Sequence, residues 1–133
     1  MSEGRFAKLG RALAPRAPLL RISLAQTYVE SNDPKLNTRA IAYLNDALRT
    51  EDKEIVAWRL LATAYGRDNQ MGMAALALAE EGLAGGKKKV AQQQAMRAKA
   101  LLPKNSAAVN RADNIHREAE RIEDSAGGVV NAR

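Results

Sequence analysis

The chain is predicted to be all-α, built as a stack of antiparallel helix pairs, on three observations. Between Trp58 and Leu78 the pattern Trp58-x2-Leu61-Ala62-x2-Tyr65, a break near Asn69, and then Ala74-x3-Leu78 spaces apolar and small residues at steps of three and four. That spacing puts them on one face of a helix, and the break marks a tight turn into a second helix. The pattern recurs upstream: Leu24-Ala25-x2-Tyr28 matches Leu61-Ala62-x2-Tyr65 at a spacing of 37, and Ala40 matches Ala74 at 34. Alanine occurs 26 times in 133 residues, whereas aromatics make up 4%. Helices here must therefore approach closely through small residues, and the absence of β-branched runs or period-two alternation removes any strand signal.

The elements follow in order. Phe6, Leu9 and Leu13 fall on one helical face, and Arg11-Ala12-Leu13-Ala14-Pro15 is similar to Ala98-Lys99-Ala100-Leu101-Leu102-Pro103, the end of a later helix. Residues 1–17 are thus expected to be the remnant of a preceding repeat helix, a second half without its first, as in a chain cut from a longer one. Pro15 and Pro18 stop that helix and start the next, since proline is tolerated in a first turn. A helix from Pro18 to Ser31 is followed by Asp33-Pro34, an N-cap and a first-turn proline, opening a helix that ends near Arg49. Thr50 or Asp52 is the expected cap of the next helix, which runs to Arg67. Met71 to Ala84 is stopped by Gly85-Gly86, and Lys87 to Leu102 by Pro103. Asn105 or Ser106 caps a last helix whose stripe is Val109, Ala112, Ile115, Ala119 and Ile122. Residues 18–123 form one helical domain, and 124–133, with Ser125, Gly127 and Gly128, are expected to be a disordered tail.

The helix-turn-helix phrase resembles the tetratricopeptide repeat (TPR), whose period is roughly 34 residues and whose helix pairs wind into a right-handed superhelix. Three departures stand out: Arg21 occupies the place of the first copy's Trp, Asn32 and Asn69 replace the turn Gly, and Glu81 fills the last small position of the second copy. A third copy ends in Leu101-Leu102-Pro103, but Met71 to Ala84 fits either the second helix of one repeat or the first of the next, so its register stays open. The resemblance implies that Trp58, Leu61, Tyr65, Leu24 and Tyr28 are core. It also implies that first helices line a groove for a peptide. Counting from Leu24 and Leu61, the groove side holds Ile22, Gln26 and Val29 in one repeat and Arg59 and Thr63 in the next. The Lys and Asn set with which chaperone-tail-binding TPR proteins clamp a terminal carboxylate is missing.

Catalysis is not expected. His116 is the single histidine, so the two-histidine helix of a zinc peptidase cannot form, and there are no cysteines for a thiolate site. No G-x-S-x-G nucleophile turn exists. Gly85-Gly86-Lys87-Lys88 lacks the upstream Gly and following Ser or Thr of a phosphate-binding loop, with Glu81 and Lys88 in those places. No metal or cofactor is expected. No stretch reaches the ~18 apolar residues of a membrane span, so membrane insertion is not expected.

The net charge of +6 is unevenly spread. Residues 87–104 hold Lys87, Lys88, Lys89, Arg97, Lys99 and Lys104 and no carboxylate. Three lysines in a first turn oppose the helix dipole by a few tenths of a kcal/mol each. This helix is the expected basic docking face, for an acidic protein contact. A nucleic-acid or anionic-surface binder is the alternative, disfavoured by the lack of any aromatic to stack on bases.

A further similarity joins these features. Ala57-Trp58-Arg59-Leu60-Leu61-Ala62-Thr63-Ala64-Tyr65-Gly66-Arg67, Met71-Gly72-Met73-Ala74-Ala75-Leu76-Ala77-Leu78-Ala79-Glu80-Glu81, and the flanking Pro15 to Arg21 and Leu101-Leu102-Pro103 resemble the C-terminal TPR region of BepA-like bacterial zinc metallopeptidases, over residues 5–115. In that family a separate upstream domain carries His-Glu-x-x-His, none of which is in this chain. The resemblance implies a non-catalytic, partner-recruiting module in the periplasm, with a protein or peptide partner that includes its own upstream peptidase domain. Oligomeric state is not legible.

Overall fold

The computed structural model describes residues 17–123, which fold into six α-helices with no strand among them: α1 (Pro18–Glu30), α2 (Pro34–Leu48), α3 (Ile55–Arg67), α4 (Met71–Ala84), α5 (Lys88–Leu101) and α6 (Ala107–Glu120). The remnant helix expected before Ala17 and the tail expected at 124–133 lie outside the described residues. Helix ends follow local chemistry. The Asp33 carboxylate accepts from the Lys35 N–H at 2.9 Å, with Pro34 in the first turn. The Ser106 hydroxyl accepts from the Val109 N–H at 3.2 Å. Both are N-caps read from sequence. The expected cap at Thr50 or Asp52 is displaced: α3 begins only at Ile55, after Glu54, which makes no side-chain cap. The indole N–H of Trp58 donates to the Asp52 carbonyl at 2.7 Å, and residues 52–53 form a turn ahead of α3.

The turns explain the missing glycines. Asn32, Asn69 and Asn105 have φ of 59, 62 and 66°, in the left-handed region, as does Gly86 at 68°. Asparagine enters that region more readily than other side chains with a Cβ, so it can close these helices where glycine is the commoner residue. After α3, Gln70 N–H donates to Tyr65 O at 2.9 Å and Asn69 N–H to Gly66 O at 3.1 Å, the paired bonds of a Schellman cap. After α1 the longer bond is relayed: the Asp33 N–H donates to the Ser31 hydroxyl, which itself donates to the Tyr28 carbonyl at 2.6 Å. Asn69→Gly is therefore expected to leave stability unchanged or raise it slightly, and Asn69→Val to lower it by about 1–2 kcal/mol, in urea denaturation.

Consecutive helices run antiparallel. Arg21 near the start of α1 pairs with Asp46 near the end of α2, Arg59 of α3 with Glu81 late in α4, and Lys99 late in α5 with Asp113 early in α6. Each helix packs on its successor, and α1 also meets α3, and α4 meets α6. The skipped contacts divide the helices into α1–α3 and α4–α6. Two cores follow this division and share α4. One joins Ile22, Ala25 and Val29 to Leu44, Leu48, Leu61, Tyr65 and α4's Ala74 and Ala77. The other joins α4's Ala75, Leu76 and Ala79 to Ala91, Ala95 and Ala98 of α5 and Ala112, Ile115 and Ala119 of α6.

Helix α4 thus contributes to both cores. Alanine on nearly every side lets it be buried from both directions. Small residues also set its distance from α5. A Cβ on Gly82 would lie 2.8 Å from the Ala91 nitrogen and 3.1 Å from its Cα, so the two backbones touch there. Asn37 is the buried polar side chain of the first core. Its Nδ2 donates to the Ala64 carbonyl at 2.9 Å, stitching α2 to α3.

Candidate functional site

The groove positions inferred by counting do not all face outward. Gln26, Arg59 and Thr63 are exposed, but Ile22 and Val29 are 7% and 3% exposed and belong to the first core. Those two are corrected from groove to core. The phase of α1 was the error. Its buried stripe is Ile22, Ala25 and Val29, with Leu24 and Tyr28 half-buried on the flank, so the aligned Leu24 and Leu61 do not point to equivalent places. The exposed members are engaged with their own neighbours. The Gln26 amide donates to Glu30 at 3.1 Å and the Thr63 hydroxyl to the Arg59 carbonyl at 3.2 Å. Arg59 donates twice to Glu81, at 3.0 and 2.8 Å, which ties α3 to α4. Arg21, in the place of a Trp, has its guanidinium 5.5 Å from the centroid of the Tyr43 ring and pairs with Asp46, while Tyr43 stacks on Tyr28 with ring centroids 5.9 Å apart. A cation over an aromatic face is a favourable contact.

A concavity lies elsewhere, lined by residues of both cores. It has a volume of about 560 Å³, in the range of binding clefts, and brings together the end of α2, the following turn, Trp58 of α3, the end of α4 and the polar edge of α6. Leu48, Leu83, Ala84 and the half-buried Trp58 make its apolar surface, and Arg49, Asp52 and Lys53 stand on one rim. On the opposite rim Arg111 donates to both oxygens of Glu80, at 2.8 and 2.6 Å, and to Glu118 at 3.2 Å. The Glu80 hydrogen bond raises the Arg111 guanidinium further above its ordinary range, against the opposing effect of partial burial. Arg111 and Glu80 are therefore a fixed clasp rather than free ligands. What the cleft offers an incoming group is an indole face with aliphatic neighbours and the exposed cations Arg49 and Lys53.

Sequence reasoning named Trp58 but as core alone, and it missed the rest. The clasp joins residues 31 positions apart on different helices, a separation that no helical period reports.

The basic helix is exposed as expected, with two of its cations engaged. Lys88 lies 3.7 Å from Glu120 and Lys99 2.6 Å from Asp113. Gln92 donates to Glu120 at 2.6 Å and, ahead of Lys88, holds its carboxyl below the ordinary value; Lys99 does the same for Asp113. Lys87, Lys89, Arg97 and Lys104 are exposed and form no ion pair among the described residues. His116 is half-buried beside Met96, Lys99, Asp113 and Arg117, in a depression of about 460 Å³ between α5 and α6. Among the described residues no three His, Cys, Asp or Glu side chains gather where they could hold a metal, and no helix is long and apolar enough to cross a membrane. No family model, curated protein or solved structure matches this chain.

Proposed function

We propose that this chain is a non-catalytic protein-binding module whose helix pairs form a TPR-like right-handed superhelix, and that the cleft receives a peptide segment of the partner. The observation that carries this reading is the cleft itself: an indole face backed by Leu48, Leu83 and Ala84, with Arg49 and Lys53 at its mouth. An aromatic anchor with adjacent cations suits an apolar side chain followed by an acidic one, and such anchored contacts dominate binding energy at interfaces. The recurrence of Leu24-Ala25-x2-Tyr28 as Leu61-Ala62-x2-Tyr65 supports the repeat architecture, and the caps at Asn32 and Asn69 support equivalent turns after α1 and α3. The partner named by the sequence resemblance is the peptidase domain of a periplasmic zinc metallopeptidase of the BepA type, which this module would serve by recruiting substrate or partner.

Trp58 is the single tryptophan, so its fluorescence reports on the cleft. Titration with short synthetic peptides pairing a Phe or Leu with a following Glu is expected to shift Trp58 emission saturably. The double substitution Arg49→Glu with Lys53→Glu, both exposed, is expected to weaken that binding about tenfold with unchanged circular dichroism. Peptides that leave Trp58 emission unmoved, alongside duplex DNA that binds at low salt and is released at high salt, would overturn the reading in favour of a basic nucleic-acid binder.

A further inference from the structure

Another concavity lies away from the cleft and shares no residue with it. Its wall of Asn32, Asp33, Pro34, Asn37, Arg67 and Asp68 spans about 240 Å³, where α2 begins and α3 ends. Asn37 stands one turn into α2 and is 6% exposed. Its Nδ2 donates to the Ala64 carbonyl at 2.9 Å, and this fixes the amide, since the reverse orientation would press Oδ1 against that carbonyl oxygen. Oδ1 is therefore the half turned away from the Ala64 carbonyl, and it is buried with no donor among the described residues. A buried acceptor without a donor is costly, so the cavity calls for a hydrogen-bond donor.

The other groups of the wall set the charge of that donor. Asp33 and Asp68 form no ion pair among the described residues. One oxygen of each is engaged, Asp33 Oδ1 with the Lys35 N–H at 2.9 Å and Asp68 Oδ2 with the Gln70 amide at 2.5 Å, and the second oxygen of each accepts no hydrogen bond among the described residues. Arg67 is the cation of the wall, and its guanidinium donates to the Val29 carbonyl. Two carboxylates against one guanidinium leave the wall net negative. An anion is disfavoured on a second ground: the start of α2, where helix N–H groups attract negative charge, already carries the Asp33 carboxylate as its cap.

We infer that this cavity binds a primary ammonium group, the end of a lysine side chain or of a small free amine. An ammonium has three N–H donors and no acceptor, so its donors match in number the open oxygens of Asn37, Asp33 and Asp68, and its charge answers that of the two carboxylates. The volume is below that of a pocket for a drug-sized molecule and suits a single chain end. A quaternary ammonium carries the charge but no N–H for Asn37, and a phosphate brings the wrong sign. The site adds to the peptide cleft without depending on it.

The test titrates the isotope-labelled full chain with n-butylamine at neutral pH and follows, by NMR, the side-chain amide of Asn37 and the backbone amides of Asn32 and Asp68. Saturable shifts centred on these residues are expected. Asp33→Asn with Asp68→Asn is expected to weaken binding about tenfold at an unchanged melting temperature, because asparagine caps a helix as well as aspartate does. Asn37→Leu is expected to abolish the backbone shifts, and the Ala64 carbonyl there keeps the Asp68 N–H, at 3.1 Å. Should that variant fail to fold, the aspartate pair still decides. A blocked Ala-Lys-Ala peptide that binds more tightly than n-butylamine assigns the site to a partner's lysine, and the reverse order assigns it to a free amine. Equal binding of tetramethylammonium, saturation of the same signals by inorganic phosphate, n-butylamine binding that survives the aspartate pair unchanged, or no saturable shift at all would overturn the inference.

Discussion

Ile115→Ala is expected to destabilise the protein by about 3 kcal/mol, because deleting buried methyl groups forfeits both their transfer free energy and the contacts around the cavity left behind. Ile115 is fully buried and is the largest such side chain of the second core, where most of its buried neighbours are alanines that cannot swing in to fill the gap. The reporter makes the experiment sharper. Trp58 packs against the first core, three helices before α6 in sequence. Since α4 gives Ala74 and Ala77 to one core and Ala75, Leu76 and Ala79 to the other, loosening the second core must loosen α4 and hence the first. Urea denaturation of Ile115→Ala is therefore expected to move the Trp58 fluorescence midpoint and the helical circular dichroism midpoint together. A biphasic dichroism curve with an unmoved Trp58 transition would show that the two cores melt independently.

Gly82→Ala should lower stability by about 2 kcal/mol, although alanine in place of glycine within a helix ordinarily raises it by up to ~1 kcal/mol. The sign reverses because the new methyl carbon meets backbone, at 2.8 Å from the Ala91 nitrogen, and helix backbone cannot rotate away as a side-chain tip can. Gly66→Ala is the matched control. A Cβ there meets nothing within 4 Å, and its expected effect is a gain of roughly 0.5–1 kcal/mol. Opposite shifts of the urea midpoint for the two glycines would confirm that α4 and α5 are set at contact distance by Gly82. Equal shifts would contradict it.

What was legible in the sequence is what a few neighbouring residues decide among themselves. Apolar spacing located all six helices. Asp33-Pro34 and Ser106 marked two helix starts, and asparagine in the left-handed region was foreshadowed by Asn32 and Asn69 standing where the repeat has glycine. These are local effects: a period, a side chain reaching two or three residues along, a backbone angle.

The tertiary structure decided the rest. Ile22 and Val29 fell inside because the direction α1 faces is set by where α2 and α3 lie, and a repeat aligned on Leu24 carries no record of a rotated helix. Helix α4 is so uniformly small and apolar that its sequence favours no single side, and only the presence of a core on each flank gives it two. The clasp of Glu80 with Arg111 and the cleft it borders join residues through space. Local periodicity states how a helix is greased; which neighbour it meets, and which face is left over for a partner, is settled by packing the whole chain at once.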